Sequence, residues 1–245
     1  MDTTHLALLV LAIGLVAFLY SSVGHAGASG YIAVMTLLGL GAATIRPTAL
    51  LLNVLVATIG SIQFGRAGYF RWPLFWPFAV LSVLAAFLGG YLQLPVALLR
   101  ILIGLVLLFS AGRLFFRRSD PEEVRPPSPG AAIGLGGVIG LLSGLTGTGG
   151  GIFLTPLLLF FGWARIREAA AVSALFILHN SIAGLAGYFG AHRSIPSLGL
   201  YLAGTAIIGG TAGSYFGSQR FPVRTISLVL AIVLIVAGTK LIFTR

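Results

Sequence analysis

Ten apolar stretches follow one another along this chain, at approximately residues 5–23, 30–44, 47–65, 72–92, 95–115, 130–146, 150–163, 168–189, 195–217 and 222–243. An α-helix rises about 1.5 Å per residue, so about 20 residues cross the roughly 30 Å hydrocarbon layer of a bilayer. Most of the stretches are that long. The second and seventh, about 14 residues each, reach only about 21 Å. Each of those two follows a glycine-rich interruption, SVGHAGASGY at 22–31 and GLTGTGGGIF at 144–153. The expectation is an all-α polytopic membrane protein whose helical run is broken twice, in the same way, about 120 residues apart.

A water-facing fold is excluded by charge. Only 8% of the residues are charged, and five carboxylates serve 245 positions, where a soluble domain carries roughly a quarter charged residues. The net charge of +10 raises a nucleic-acid reading. However, the basic residues are scattered through short loops and form no basic helix or patch, which is the pattern of topological anchors. No nucleic-acid partner is expected. Disulfides and thiolate metal sites are excluded because the chain has no cysteine. The N-terminal stretch carries Asp2 and no Lys or Arg before its apolar run, so it reads as part of the fold and not as a secretory leader.

The one strongly polar segment, RRSDPEEVRPPSPG at 117–130, holds three of the five acidic residues and four prolines. It divides the chain into a first transmembrane repeat at 1–116, a linker at 117–130 and a second repeat at 131–245. The halves resemble each other: SGYIAVMTLLGLGAATIRPTAL matches GGIFLTPLLLFFGWARIREAAA, and GGYLQLPVALLRILIGLVLLFSAG matches GSYFGSQRFPVRTISLVLAIVLIVAG. Five segments per half is an odd number, so the second half must sit upside down relative to the first. Folding the first two segments of a half as a re-entrant hairpin leaves that parity unchanged. Inverted repeats with broken helices at matching positions are the layout of secondary transporters, with the substrate bound where the breaks meet near the midplane. On alternate sides the loops hold ten basic residues against five, the poorer side having Arg46, Arg100, Arg193, Lys240 and Arg245. By the positive-inside rule the linker is cytoplasmic and both termini are outside.

Unwound backbone in a membrane survives only where protein or a hydrated cavity satisfies it. Glycine permits such a break and close approach to a ligand, and the helix that restarts presents free N–H groups and a positive dipole end, a combination that binds anions. The candidate substrate-binding residues are therefore Gly24, His25, Gly27, Ser29 and Gly30 at the first break, and Thr146, Gly147, Thr148, Gly149, Gly150 and Gly151 at the second. Asn53, Ser173, Asn180 and Ser181 join them from the segments that follow. At an offset of 120, Asn53 pairs with Ser173 and Ser61 with Ser181; Asn53 and Ser61 lie eight apart, as do Ser173 and Ser181, which puts each of these two sets on one helix face. Thr58, Ser61, Gln63 and His179 extend the same polar stripes. The competing readings are that isolated glycines serve close helix packing and that the polar stripes are interhelical glue.

His25 and His179 are the ionisable side chains placed deep in the membrane; either is a candidate for coupling transport to protons, or a neutral hydrogen-bonded bridge between helices. Beyond Glu168 at the very start of the eighth stretch, no Asp or Glu falls inside a span, so nothing deep in it repels an anion. No Ser/His/Asp set, metal-ligand cluster, phosphate loop or dinucleotide fingerprint is present; GTGGG lacks the Lys-Ser/Thr of a phosphate loop. The chain is thus expected not to be an enzyme, and no cofactor or metal is expected.

Two segments carry a family resemblance. GLLSGLTGTGGGIFLTPLLLFFGWARIREAAAVSALFILHNSIAGLAG at 140–187 and RPTALLLNVLVATIGSIQFGRAGYFRWPLFWPFAVLSVLAAFLGG at 46–90 resemble the second- and first-half signatures of the TauE/SafE sulfite exporters, also called 4-toluenesulfonate uptake permeases. The first break, GHAGASG, departs from the glycine-richer form of that family. The resemblance implies a multi-pass protein of the bacterial inner membrane that moves sulfite, thiosulfate or organosulfonates. An anion channel, or a transporter of another small organic anion, uses the same chemistry and is the alternative. The expected partners are a small sulfur oxyanion or sulfonate and the lipid bilayer.

Overall fold

The computed structural model describes residues 3–92, 107–108, 111–112, 115, 120, 123–191 and 196–243. Helix α1 spans Thr3–Ser21, α2 Ala28–Leu37, α3 Ala42–Arg66 and α4 Trp72–Tyr91. After the linker come α5 Pro129–Thr146, α6 Gly151–Phe160, α7 Ile166–Gly190 and α8 Leu198–Tyr215. A π turn over Phe216–Arg220 leads to α9, Val223–Phe243. The stretch expected at 95–115 lies largely outside the described residues. Five of the described helices are long and apolar enough to cross a membrane, and α2, α6 and the His5–Ser21 part of α1 are shorter apolar helices. Leu11, Leu15, Leu84, Ile208 and Ile232 are exposed around the outside of the bundle, where lipid tails satisfy them. The chain is an all-helical polytopic membrane protein.

The element lengths repeat. The two short helices have ten residues each, and α3 and α7 have 25 each. Starts correspond at an offset of 123 for α2 and α6 and 124 for α3 and α7, not the 120 read from the sequence. The difference is about one helical turn, which keeps the polar stripe on the same face.

The second stretch ends sooner than its apolar composition suggested, at Leu37 and not near residue 44. Gly39 there has φ +76°, and its N–H and that of Leu40 turn back to the carbonyls of Thr36 and Met35, a helix stop that needs a left-handed residue. Gly162 ends α6 by the same bonds, to Leu159 and Leu158. Conversely, α3 begins at Ala42, earlier than the expected 47, with Pro47 inside it. Proline has no N–H for the carbonyl four residues before it; the Tyr188 hydroxyl on α7 donates to Ala43 O at 3.2 Å in its place.

Packing exchanges one helix between the halves. One core joins α1, α2 and α3 to α8 through residues such as Ile13, Met35, Leu52 and Leu202. The other joins α5, α6 and α7 to α4 and α9 through Ile139, Leu154, Phe176, Phe78 and Leu230. Glycine seams draw the exchanged helices together. A Cβ on Gly136, Gly140 or Gly144 of α5 would collide with the carbonyl oxygens of Phe78, Ser82 or Ala86 of α4. Gly209 and Gly213 of α8, with Gly217 in the π turn, stand in the same relation to Gly14, Phe18 and Ser22. For these glycines, close packing of backbones is the whole explanation.

One end of the bundle is tied by ions. Arg71, at the start of α4, donates from Nε and Nη2 to Glu168 Oε1 at 3.0 and 2.6 Å. The other carboxylate oxygen accepts the Arg165 N–H at 3.1 Å, capping α7. Arg167 donates to the Tyr69 hydroxyl and to Phe221 O, both at 2.7 Å.

Candidate functional site

Both short helices begin in the same way. The residue before α2 is Gly27 with φ +107°, and the residue before α6 is Gly150 with φ +85°, left-handed conformations that side chains with a Cβ avoid. The departure of GHAGASG from a richer glycine run therefore leaves the backbone device intact.

Asn53, on α3 and fully buried, joins the two breaks. Its Oδ1 accepts the Ala28 N–H at 3.1 Å, capping α2 from a neighbouring helix. Its Nδ2 donates to Thr148 O and to Ser181 Oγ, both at 3.3 Å. One amide side chain thus holds the start of α2, the loop before α6 and the middle of α7. His25 bridges the breaks a second time: its Nε2 lies 3.1 Å from Gly151 O and 2.9 Å from Thr155 Oγ1 on α6. Thr155 donates onward to Ser173 Oγ on α7 at 2.6 Å. Residues from opposite halves of the sequence meet here as expected.

Asn180 supplies the group aimed at the second break. Its Oδ1 accepts from Ser82 Oγ at 3.0 Å. Its Nδ2 is buried without a hydrogen-bond partner, and it lies 3.3 Å from where a Cβ on Gly150 would be. Among the described residues, no acceptor takes the N–H groups of Gly149, Gly150, Gly151 or Ile152. Unmet donors at the positive end of a helix favour an anion.

The remaining candidates divide. Gly149 is pressed against Asn53, Ile177 and Ser181, and Gly151 against Ile177 and His25. Thr146 and Thr148 are half-buried, with hydroxyls 2.9 Å apart, Thr146 also donating to Leu142 O at 2.7 Å. Ser29 turns to α1, donating to the Tyr20 hydroxyl at 3.0 Å. Gly24 packs on Ala170 and Gly30 on Val16 and Tyr20, so these two serve close approach, while Gly147 ends α5 with φ +75° beside the Arg46 side chain.

Outside that group, Thr58 donates to Val54 O within its own helix, Gln63 donates to Thr211 O, and Ser61 meets none of the named groups. His179 lies on an exposed face, donating to Leu175 O at 2.8 Å beside the Phe75 ring. Sequence reasoning missed Thr155, Ser82 and Arg46. The first two stand alone as polar residues in apolar helices, and only the packing shows what they touch. Arg46 was counted as a loop anchor. Its guanidinium instead donates to the carbonyls of Gly89, Gly90 and Gly144, where the C-terminal ends of α4 and α5 concentrate negative dipole charge.

Apolar spanning helices, two of them interrupted, with polar side chains from both halves gathered at the interruptions, define a membrane transport protein. The chain belongs to the sulfite exporter TauE/SafE family, whose model matches residues 9–241. It is 38% identical over 248 residues to y4hK, a probable membrane transporter protein of Sinorhizobium fredii, covering 99% of this chain and all of that one. It is also similar to MamO, a probable membrane transporter protein, from Paramagnetospirillum magneticum (25% identity over 98% of this chain) and Magnetospirillum gryphiswaldense (24% over 99%). The chain spans less than half the length of either MamO, 44% and 45%. No solved structure matches it. Family and relatives are transporters, in keeping with the expectation that the chain is not an enzyme.

Proposed function

We propose that this transporter moves small sulfur-containing anions, namely sulfite, thiosulfate or organosulfonates, and binds them between the two helix starts that Asn53 joins. The observation that carries the reading is the unmet Asn180 Nδ2 beside the unmet N–H groups of Gly149, Gly150, Gly151 and Ile152. A pyramidal or tetrahedral oxyanion head offers acceptors in several directions, which suits donors converging from α6, the loop before it and α7. A neutral donor set with no carboxylate also suits a monovalent or divalent anion.

The membrane placement follows the sequence reading. The exchange of α8 for α4 between the two cores supports two inverted repeats, 1–116 and 131–245, about the linker at 117–130. The two-to-one excess of basic residues puts that linker in the cytoplasm and the termini outside, in a bacterial inner membrane.

A thermal-stability panel on purified protein in detergent, at matched ionic strength, tests the substrate. A ligand at 100 times its dissociation constant stabilises by about 2.7 kcal/mol. Sulfite, thiosulfate, taurine and sulfoacetate are expected to raise the melting temperature, and nitrate and chloride to leave it unchanged. Stabilisation by nitrate or chloride alone overturns the sulfur-anion assignment.

A further inference from the structure

Resting on the anion site just proposed, we infer that His25 is the binding site of a proton taken up together with each anion. Three features of the structure lead there.

The hydrogen bonds fix the resting tautomer. Gly151 O only accepts, so Nε2 of His25 carries the hydrogen, and Thr155 Oγ1 passes its own to Ser173. A neutral imidazole then has a bare lone pair on Nδ1. That atom is buried without a partner, in a side chain only 4% exposed. An acceptor left unmet in a closed interior is costly, and once protonated the same atom becomes a donor that an anion can meet.

The second feature is charge. His25 sits on the first turn of α6, beside two helix starts whose dipoles are positive. The Tyr20 ring on α1 lies 6.4 Å from the imidazole, Tyr31 on α2 donates to Ala26 O, next in sequence to His25, and Lys240 on α9 has its Nζ 3.4 Å from Ser29 O. Thr155 of α6 meets it directly, Ser173 of α7 lies one hydrogen bond beyond, and Asn53 of α3 caps Ala28; none of the three titrates. Among the described residues the carboxylates lie elsewhere: Glu168 pairs with Arg71, Asp120 accepts from the Ile166 N–H, and Glu123 pairs with Arg125. An imidazolium there therefore has no carboxylate to pair with among the described residues. An anion at the start of α6 supplies the missing counter-charge, so the proton and the anion each favour the other's binding.

The third feature is exclusivity. His179 is exposed and already donates to Leu175 O, so it lacks both the enclosure and the unmet atom.

The test is titration calorimetry of detergent-purified protein with thiosulfate and with ethanesulfonate, in buffers of different ionisation enthalpy, from about pH 5.5 to about pH 8.5. Wild type and His179→Gln are expected to take up one proton per anion bound, with affinity falling by up to tenfold per pH unit. His25→Gln is expected to bind with a flat pH profile and no proton uptake. Anion binding without proton uptake in the wild type, or uptake that persists in His25→Gln, overturns the inference and leaves the anion site standing. Absence of binding by every sulfur anion at every pH overturns the anion site, and this inference with it. Should His25→Gln fail to fold, a variant carrying His5→Gln, His179→Gln and His192→Gln leaves His25 as the sole imidazole. Its nitrogen-15 shift is then expected to move to the imidazolium position on anion addition, and an unchanged shift overturns the inference.

Discussion

Gly149→Ala is the sharpest test of the joined breaks, because the structure separates its cost into two parts. Gly149 has φ +78°, and an L-residue held there costs roughly 1–2 kcal/mol. Gly68, with φ +80° and nothing within 4 Å of an added Cβ, isolates that backbone part in Gly68→Ala. At Gly149 the new methyl stands 2.7 Å from Asn53 Nδ2 and from Ile177 Cγ2, and 2.9 Å from Ser181 Oγ. Asn53 is fully buried, so it yields only by breaking its bonds to Thr148 O and Ser181 Oγ and loosening the cap on Ala28. Each hydrogen bond is worth about 1 kcal/mol net and a cap about 1 kcal/mol. Gly149→Ala is thus expected to cost about 2–3 kcal/mol more than Gly68→Ala, and to weaken anion binding while Gly68→Ala does not. Equilibrium unfolding in mixed micelles, with the anion panel repeated on both variants, measures the two effects. Equal stability of the two variants, within about 0.5 kcal/mol, together with wild-type anion affinity in Gly149→Ala, would refute the reasoning.

Tyr188→Phe is expected to cost about 1 kcal/mol by leaving Ala43 O without a donor. In a Pro47→Ala background, where the helix regains its own N–H, that cost is expected to vanish, and a double-mutant cycle of unfolding free energies reads the coupling. Glu168→Ala is expected to cost about 1–2 kcal/mol, chiefly through the lost cap on α7, whereas Arg71→Ala, at a side chain 61% exposed, is expected to cost less than about 1 kcal/mol. Thermal unfolding compares them, and a larger loss in Arg71→Ala would assign the stability to the ion pair and not to the cap.

What the sequence disclosed follows from which forces are local. The positions of both breaks are legible because a left-handed residue such as Gly27 or Gly150 is a property of one residue and its own backbone. The placement of Asn53, Ser173, Asn180 and Ser181 on inward faces is legible too, since helical spacing decides it. The stop at Gly39 was equally local. It was overlooked because the apolar run continues through it, and hydropathy does not see a turn. The early start of α3 was hidden for a different reason: Pro47 reads as a boundary unless a distant hydroxyl, here Tyr188, relieves it. Ser82, Thr155 and Arg46 had no signal at all, because the atoms that place them in the site are 18 to 130 residues away.

The glycine seams constrain how such a molecule can alternate its access. Both seams run between halves: α1 of the first is fused to α8 of the second, and α5 of the second to α4 of the first. Hinging one half of the sequence away from the other would tear open two contacts in which backbone touches backbone. Each glycine there has no side chain with which to find a new partner. The pieces expected to stay rigid in any such motion are therefore mixed, one built around α1 with α8 and one around α4 with α5. The unit that repeats in the sequence is then not the unit expected to stay rigid.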